Sequence, residues 1–301
     1  MDDQEIRYQD VRANGLRFNV ASCGAGDRLA LCLHGFPELS YSWRAQLPLL
    51  ARLGYRAWAP DLRGYGGSDR PRSYHDYALE LLVEDVAGLI EASGAREVVL
   101  MAHDWGAVVA WAYAMRPPRP IDRLVIMNVP HPGAARKAAG LRQLRRSWYI
   151  LFFQIPWLPE WVLTRNGAQA VGRAFSEIAI DKSRFPPDVL DVYRQAALQP
   201  GAAKAMVDYY RALLRGGGAR RQGARPYPLI ETPTLVVWGE EDPALGIELT
   251  RATGDFVKDL TLRTLPGVSH WVQQEAPETV NAMLEAWLTG QPVLEAPPAR
   301  P

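Results

Sequence analysis

Cysteine is nearly absent: the 301 residues contain only Cys23 and Cys32. The pair has no metal-ligand spacing and lies near the first apolar segment. The two therefore read as buried reduced thiols in a reducing compartment, not as a disulfide framework. A long apolar run is also missing, since no stretch reaches the roughly 20 residues that span a bilayer. The opening MDDQEIRYQDVRANG is acidic and polar, without the basic-then-apolar order of a signal peptide. Excess charge of one sign is missing as well. Thirty-four Lys plus Arg against 33 Asp plus Glu leave +1, so no overall field gathers nucleic acid or an anionic membrane. These absences leave a soluble cytoplasmic protein as the expectation, and 48% hydrophobic content is enough for a large core.

Short apolar runs alternate with segments of helical period, the pattern of a mostly parallel sheet covered by helices, an α/β fold. Strands are expected at 29–33, 56–60, 97–103, 124–129, 234–238 and 260–265. Leu79, Leu82, Val83, Val86 and Ile90 share one helix face that Gly94 closes, and AVVAWAYAM continues as a buried helix until RPPRP stops it. PETVNAMLEAWL repeats the helical pattern through Val280, Leu284 and Trp287. Between Val129 and Thr234 the strand pattern breaks into helical, aromatic-rich sequence with a glycine-rich loop, RGGGARRQGARPYP (215–228). The domain expectation is a core of 1–130 and 231–290, an inserted helical cap of 131–230 over the strand ends where ligands bind, and a disordered tail of 291–301.

Four strand ends carry unusual residues. LHGFPE (33–38) bends the backbone so that the Phe36 N–H can face a reacting oxygen; alone it also reads as a plain turn. AHDWG (102–106) surrounds Asp104 with small residues, as a tight strand-turn-helix requires; a helix-capping Asp is the alternative. VVWGEEDPA ends a strand with three acids, of which Asp242 before Pro243 is selected over its solvated neighbours. PGVSHWVQQEAPE places His270 between the last strand and the last helix. Each has an ordinary explanation, but nucleophile, acid and histidine at successive strand ends is the chain order of the α/β-hydrolase triad.

Nearly the whole chain resembles the α/β-hydrolase family, and HGFPELSYSWR, APDLRGYGGSD, HDWGA and SHWVQQEAPE resemble the soluble epoxide hydrolases within it. Ala102 departs from the glycine usual there, and a slightly strained turn is expected. The resemblance implies Asp104 as nucleophile, His270 with Asp242 as base pair, and an oxyanion hole of the Phe36 and Trp105 N–H groups. It also implies Tyr149 and Tyr210 as cap hydroxyl donors, with Tyr209 the easiest mistaken identity. Substrate contacts are expected at His34, Pro37, Trp105, Phe153 and Trp271, with no cofactor and no metal.

An ionised carboxylate needs no deprotonation, and it suits displacement at a saturated carbon bearing a leaving group. The carboxylate therefore points to an epoxide or an alkyl halide, and the cap tyrosines that the resemblance implies favour the epoxide: the expected partners are a small apolar epoxide and water, through an alkyl ester on Asp104, with no nucleic acid. A haloalkane dehalogenase is the alternative enzyme, although HGFP stands where that group has HGNP and HDW where haloacetate dehalogenases have HDR. A non-catalytic hydrolase-fold binding protein is the alternative from another class. Asn128, where some dehalogenases place the acid, is an amide and cannot serve; His131 is given no chemistry. Trp148, Phe152, Phe153, Trp157 and Trp161 read as an apolar pocket, as cap core, or as a surface meeting lipid or a second cap in a homodimer. Sequence leaves these open.

Overall fold

The computed structural model describes residues 5–138, 140–217 and 226–297. Its strands are β1 (Arg7–Ala13), β2 (Leu16–Cys23), β3 (Arg28–Leu33), β4 (Arg56–Pro60), β5 (Glu97–His103), β6 (Arg123–Met127), β7 (Thr234–Gly239) and β8 (Leu260–Leu265). They form one sheet in the order β1-β2-β4-β3-β5-β6-β7-β8, parallel from β4 to β8. All six expected strands are present. Strand β6 ends two residues early because Asn128 turns into the left-handed region, φ 49°.

The antiparallel hairpin of β1 and β2 was not anticipated. Its turn is Asn14-Gly15 with φ of 46° and 73°, the pair of positive φ values that a two-residue hairpin favours. β2 then adds antiparallel to β4.

Three helices lie among the first strands: α1 (Leu47–Arg52), α2 (Leu79–Ser93) and α3 (Asp104–Met115). Among the described residues six follow β6: α4 (Pro132–Ala138), α5 (Leu141–Arg146), α6 (Trp148–Phe152), α7 (Leu158–Ser176), α8 (Pro187–Leu198) and α9 (Ala202–Arg215). After β8 come α10 (Val272–Glu275) and α11 (Pro277–Leu288). Gly94 caps α2 with φ 63°, as expected.

Strands buried on both faces feed two apolar layers by alternation. Leu29, Leu31, Leu100, Leu124 and Ile126 pack with α2, α3 and the cap helices. Ala30, Cys32, Val99, Met101 and Val125 pack with α1 and α11 on the other side. Each fully buried Leu, Val or Ile stabilises by about 1.5–3 kcal/mol, so the strand ends stand on a rigid floor.

Both ends of the expected cap range touch the sheet core or its loops. α4 packs on the loops after β7, with Lys137 paired to Asp255 and His131 stacked on Phe256 at 4.6 Å. At the other end Ile230 bridges Val257. Of the expected 215–228 loop, residues 218–225 lie outside the described residues. The tail also differs from expectation over 291–297, because Val293 is buried and its carbonyl accepts from Arg263 Nε and Nη2 at 2.9 and 2.6 Å. No helix among the described residues is long and apolar enough to cross a membrane.

Candidate active site

Strand β5 ends at His103 and α3 begins on the next residue, so Asp104 occupies the turn itself with φ 47°. A non-glycine residue held there costs about 1–3 kcal/mol and persists only where its surroundings fix it. Neighbouring glycines make the close approach possible. A Cβ on Gly35 would sit 2.2 Å from Asp104 Cβ, and one on Gly106 would sit 2.4 Å from the Leu33 carbonyl oxygen. Ala102 is fully buried and the turn forms around it.

The capping explanation of Asp104 fails. The N-cap position belongs to His103, with no side-chain cap, and the Asp104 carboxylate accepts instead from the Phe36 N–H at 2.6 Å. Its other oxygen lies 3.4 Å from His270 Nε2, and 19% of its side chain stays exposed. His270 Nδ1 is 2.6 Å from Asp242 Oδ2. Asp242 Oδ1 accepts from the Ala244 and Leu245 N–H groups at 2.8 and 2.9 Å. The three residues expected from strand ends far apart in sequence are therefore in one line.

Burial works against ionisation at each member of this line, and the partners outweigh it. Asp104 is held below the usual carboxylate range by the hydrogen bond and charge of His270, by His103 and by the Phe36 N–H. Asp242 is held low against burial by His270, Asn128 and the Leu245 N–H. His270, between the two carboxylates, is pushed well above the ordinary histidine value despite burial.

Across from Asp104 the cap supplies aromatic rings. Tyr210 lies 5.0 Å from Trp105, 5.5 Å from Phe36 and 6.0 Å from Tyr149, ring centre to ring centre. Burial, then the Asp104 charge, pushes the hydroxyls of Tyr149 and Tyr210 well above the ordinary tyrosine value. Both therefore keep a proton to donate. Tyr209 is different: its hydroxyl donates to the Arg63 carbonyl at 2.8 Å, and the charges bearing on it are Tyr77, Asp85 and Arg63. Phe153 lies against Tyr210 at 4.7 Å and Phe36 at 5.3 Å, and Pro37 is buried behind a cis bond to Phe36. Trp105 lies in the first turn of α3, where N–H groups lack intrahelical acceptors.

Two expected substrate contacts are corrected. His34 is fully buried; its Nε2 accepts from the Leu62 N–H at 2.9 Å and its Nδ1 donates to the Gly35 carbonyl at 2.9 Å, leaving no polar atom for a ligand. Trp271 is 2% exposed. Its ring is wedged between His270, at 4.9 Å, and Phe175 of the cap, at 4.5 Å, with its N–H donated to the Ala174 carbonyl at 3.2 Å.

Sequence reasoning missed the polar network beneath the site. Glu38 is fully buried and accepts from the Gly35 N–H, His103 Nδ1, Gln273 Nε2 and Gln274 Nε2 at 2.9, 2.7, 3.0 and 2.8 Å. His103 Nε2 in turn reaches the His270 carbonyl at 2.8 Å. His103 therefore ties the His270 loop to Glu38. Asn128 cannot serve as the acid, yet its amide donates to Asp242 Oδ2 at 2.8 Å and its oxygen accepts from the Gly239 N–H at 2.9 Å. All of these residues sit inside or beside the quoted motifs, and the only available signal was their polarity at buried strand ends.

Residues 31–277 match the family described as the alpha/beta hydrolase fold. Epoxide hydrolase 1 of Caenorhabditis elegans is 35% identical over 96% of this chain and 71% of its own length. Epoxide hydrolase 4 of Mus musculus is 36% identical over 93% and 79%. The crystal structure of a Bacillus megaterium epoxide hydrolase in complex with an inhibitor superposes with a TM-score of 0.85 and 28% identity, over 93% of this chain and all of that one. The eight-stranded sheet, the strand-end order of Asp104, Asp242 and His270 and these likenesses agree: the chain belongs to the α/β-hydrolase family, on the branch occupied by its relatives named epoxide hydrolases.

Proposed function

We propose that the protein is an epoxide hydrolase that converts small apolar epoxides and water to vicinal diols without a cofactor. The observation that carries the reading is the gathering of Tyr149 and Tyr210 with Trp105 and Phe36, whose N–H holds the Asp104 carboxylate. Asp104 attacks an epoxide carbon, and the breaking C–O bond leaves an alkoxide that takes a proton from the tyrosines.

The product is an ester, and its formation removes the negative charge of Asp104. One of the two causes that keep His270 protonated disappears with it. His270 then loses its proton more easily, the tyrosinate left by the first step regains one, and neutral His270 becomes the base for the second step, still oriented by Asp242. It takes a proton from water, the hydroxide adds to the ester carbonyl, and the Phe36 and Trp105 N–H groups hold the oxyanion. Collapse breaks the ester C–O bond, the departing diol oxygen takes the carboxyl proton, and the Asp104 carboxylate is restored. A cytoplasmic setting fits two buried cysteines that form no disulfide.

The test is diol formation from styrene oxide and similar epoxides. The Tyr149→Phe/Tyr210→Phe double variant is expected to lose roughly 10²–10⁴ in rate. Halide release from bromoalkanes with no diol from any epoxide would instead establish the dehalogenase. Full activity of Asp104→Ala would remove the covalent route.

A further inference from the structure

Between Asp122 and Glu160 the sequence holds six basic residues and no acidic one, in a chain whose net charge is only +1. This stretch contains α5 and α6, and on them Leu141, Leu144, Trp148 and Leu151 recur at spacings of three and four. They are 78%, 68%, 63% and 67% exposed. Trp157, just beyond, is 72% exposed. Single exposed leucines are ordinary, but a continuous apolar stripe of this size marks a contact surface.

The other side of the same helices is fixed inward. Gln143 is buried and donates to the Ala244 carbonyl at 2.8 Å, while Tyr149 and Phe153 face the site. The stripe therefore cannot roll into the core without dismantling the pocket. Arg142 and Arg145 are exposed beside it, and among the described residues neither forms an ion pair.

We propose that the stripe of Leu141, Leu144, Trp148 and Leu151, with Trp157, docks on an anionic bilayer surface, Arg142 and Arg145 meeting the lipid headgroups. Apolar Leu and Trp beside unpaired basic residues is the composition of an interfacial helix lying in the membrane plane. A second copy of the chain fits less well. A two-fold contact sets the same patch against itself, and would bring Arg142 and Arg145 of each copy against those of the other. Docked this way, α6 separates lipid from pocket: Trp148 and Leu151 on one side, Tyr149 and Phe153 on the other.

The docking does not depend on the proposed chemistry, and its test does not use it. The full chain is sedimented with vesicles of phosphatidylcholine alone or mixed with phosphatidylglycerol. Binding to the mixed vesicles, weakened by salt, is expected. Arg142→Glu/Arg145→Glu and Leu141→Ser/Leu144→Ser should each lower it by roughly tenfold or more, with circular dichroism and thermal midpoint unchanged to show that the fold stands. Equal binding to both vesicle types, binding to neither, or a solution dimer that Leu141→Ser/Leu144→Ser dissociates would each overturn the proposal.

Discussion

The Phe36 N–H donates to Asp104 Oδ1 at 2.6 Å, so the donor that holds the resting carboxylate is already placed on the oxygen that carries charge when an ester at Asp104 is hydrolysed. Electrostatic stabilisation of this kind requires no reorganisation at the moment of reaction, and loss of one such donor typically raises the barrier by about 2.7–4 kcal/mol.

It follows that His270→Gln should separate the two steps. Attack by Asp104 needs no base and continues; hydrolysis, which needs one, slows by about 10²–10⁴. Intact-protein mass spectrometry after mixing with an epoxide should show the mass of one epoxide added, and peptide mapping should place it on Asp104. An unmodified His270→Gln protein that had nevertheless consumed epoxide would contradict the ester.

Gly35→Ala tests the packing at the turn. The new Cβ would fall 2.2 Å from Asp104 Cβ, so the HGFP loop must move and carry the Phe36 N–H with it. Overpacking of this kind costs about 1–3 kcal/mol of stability, and the displaced donor should lower the rate by a further hundredfold or so. Gly254→Ala, where nothing lies within 4 Å of the new Cβ, is the control and should change neither quantity. Equal behaviour of the two variants would show that the loop yields freely.

What could be read in advance was whatever the chain writes locally. Asp104, Asp242 and His270 each terminate a strand beside turn residues, and their order identifies them. The β1–β2 hairpin was equally legible, since Asn14-Gly15 sits between alternating segments. Glu38, His103, Gln273 and Gln274 were not legible. Each is an ordinary polar residue until the β3 loop, the end of β5 and α10 converge, and only then does burial force them to satisfy one another. His34 and Trp271 failed for the same reason in reverse, because adjacency to a motif does not reveal which side of the loop a side chain takes. Helical period likewise marks α4 without saying that it packs on the loops after β7.

The two chemical steps should differ in pH dependence. Asp104 lies below the usual carboxylate range and both tyrosines well above theirs, so ester formation should stay flat from mildly acidic to mildly alkaline pH. Hydrolysis needs neutral His270, whose proton is held by Asp242 once Asp104 is esterified. Its rate should therefore rise with pH, and the ester should accumulate at the acidic end of a stopped-flow and acid-quench series. Asp242→Asn removes a cause that raises the His270 value, so the midpoint of that rise should move to lower pH even as the maximum falls. Movement in the opposite direction would show that Asp242 does not govern the proton.

Away from the site, His131 should make stability fall in acid. Its ring is fully buried between Phe256 at 4.6 Å, Trp111 at 5.2 Å and Tyr227 at 5.5 Å. Nδ1 accepts from the Gly133 N–H at 3.1 Å, and burial pushes the ring down to about 4. The unfolded chain binds this proton near the ordinary value of about 6.5. Between those values the unfolded state therefore holds more protons, and stability declines as pH falls from about 6.5 to about 4. At about 1.4 kcal/mol per pH unit the loss approaches 3 kcal/mol. Urea unfolding of the wild type and His131→Phe at several pH values isolates the term, because other groups cancel in the difference. The variant should lose about that much less stability on acidification; parallel curves would mean that attraction of an imidazolium to the three surrounding rings offsets its burial.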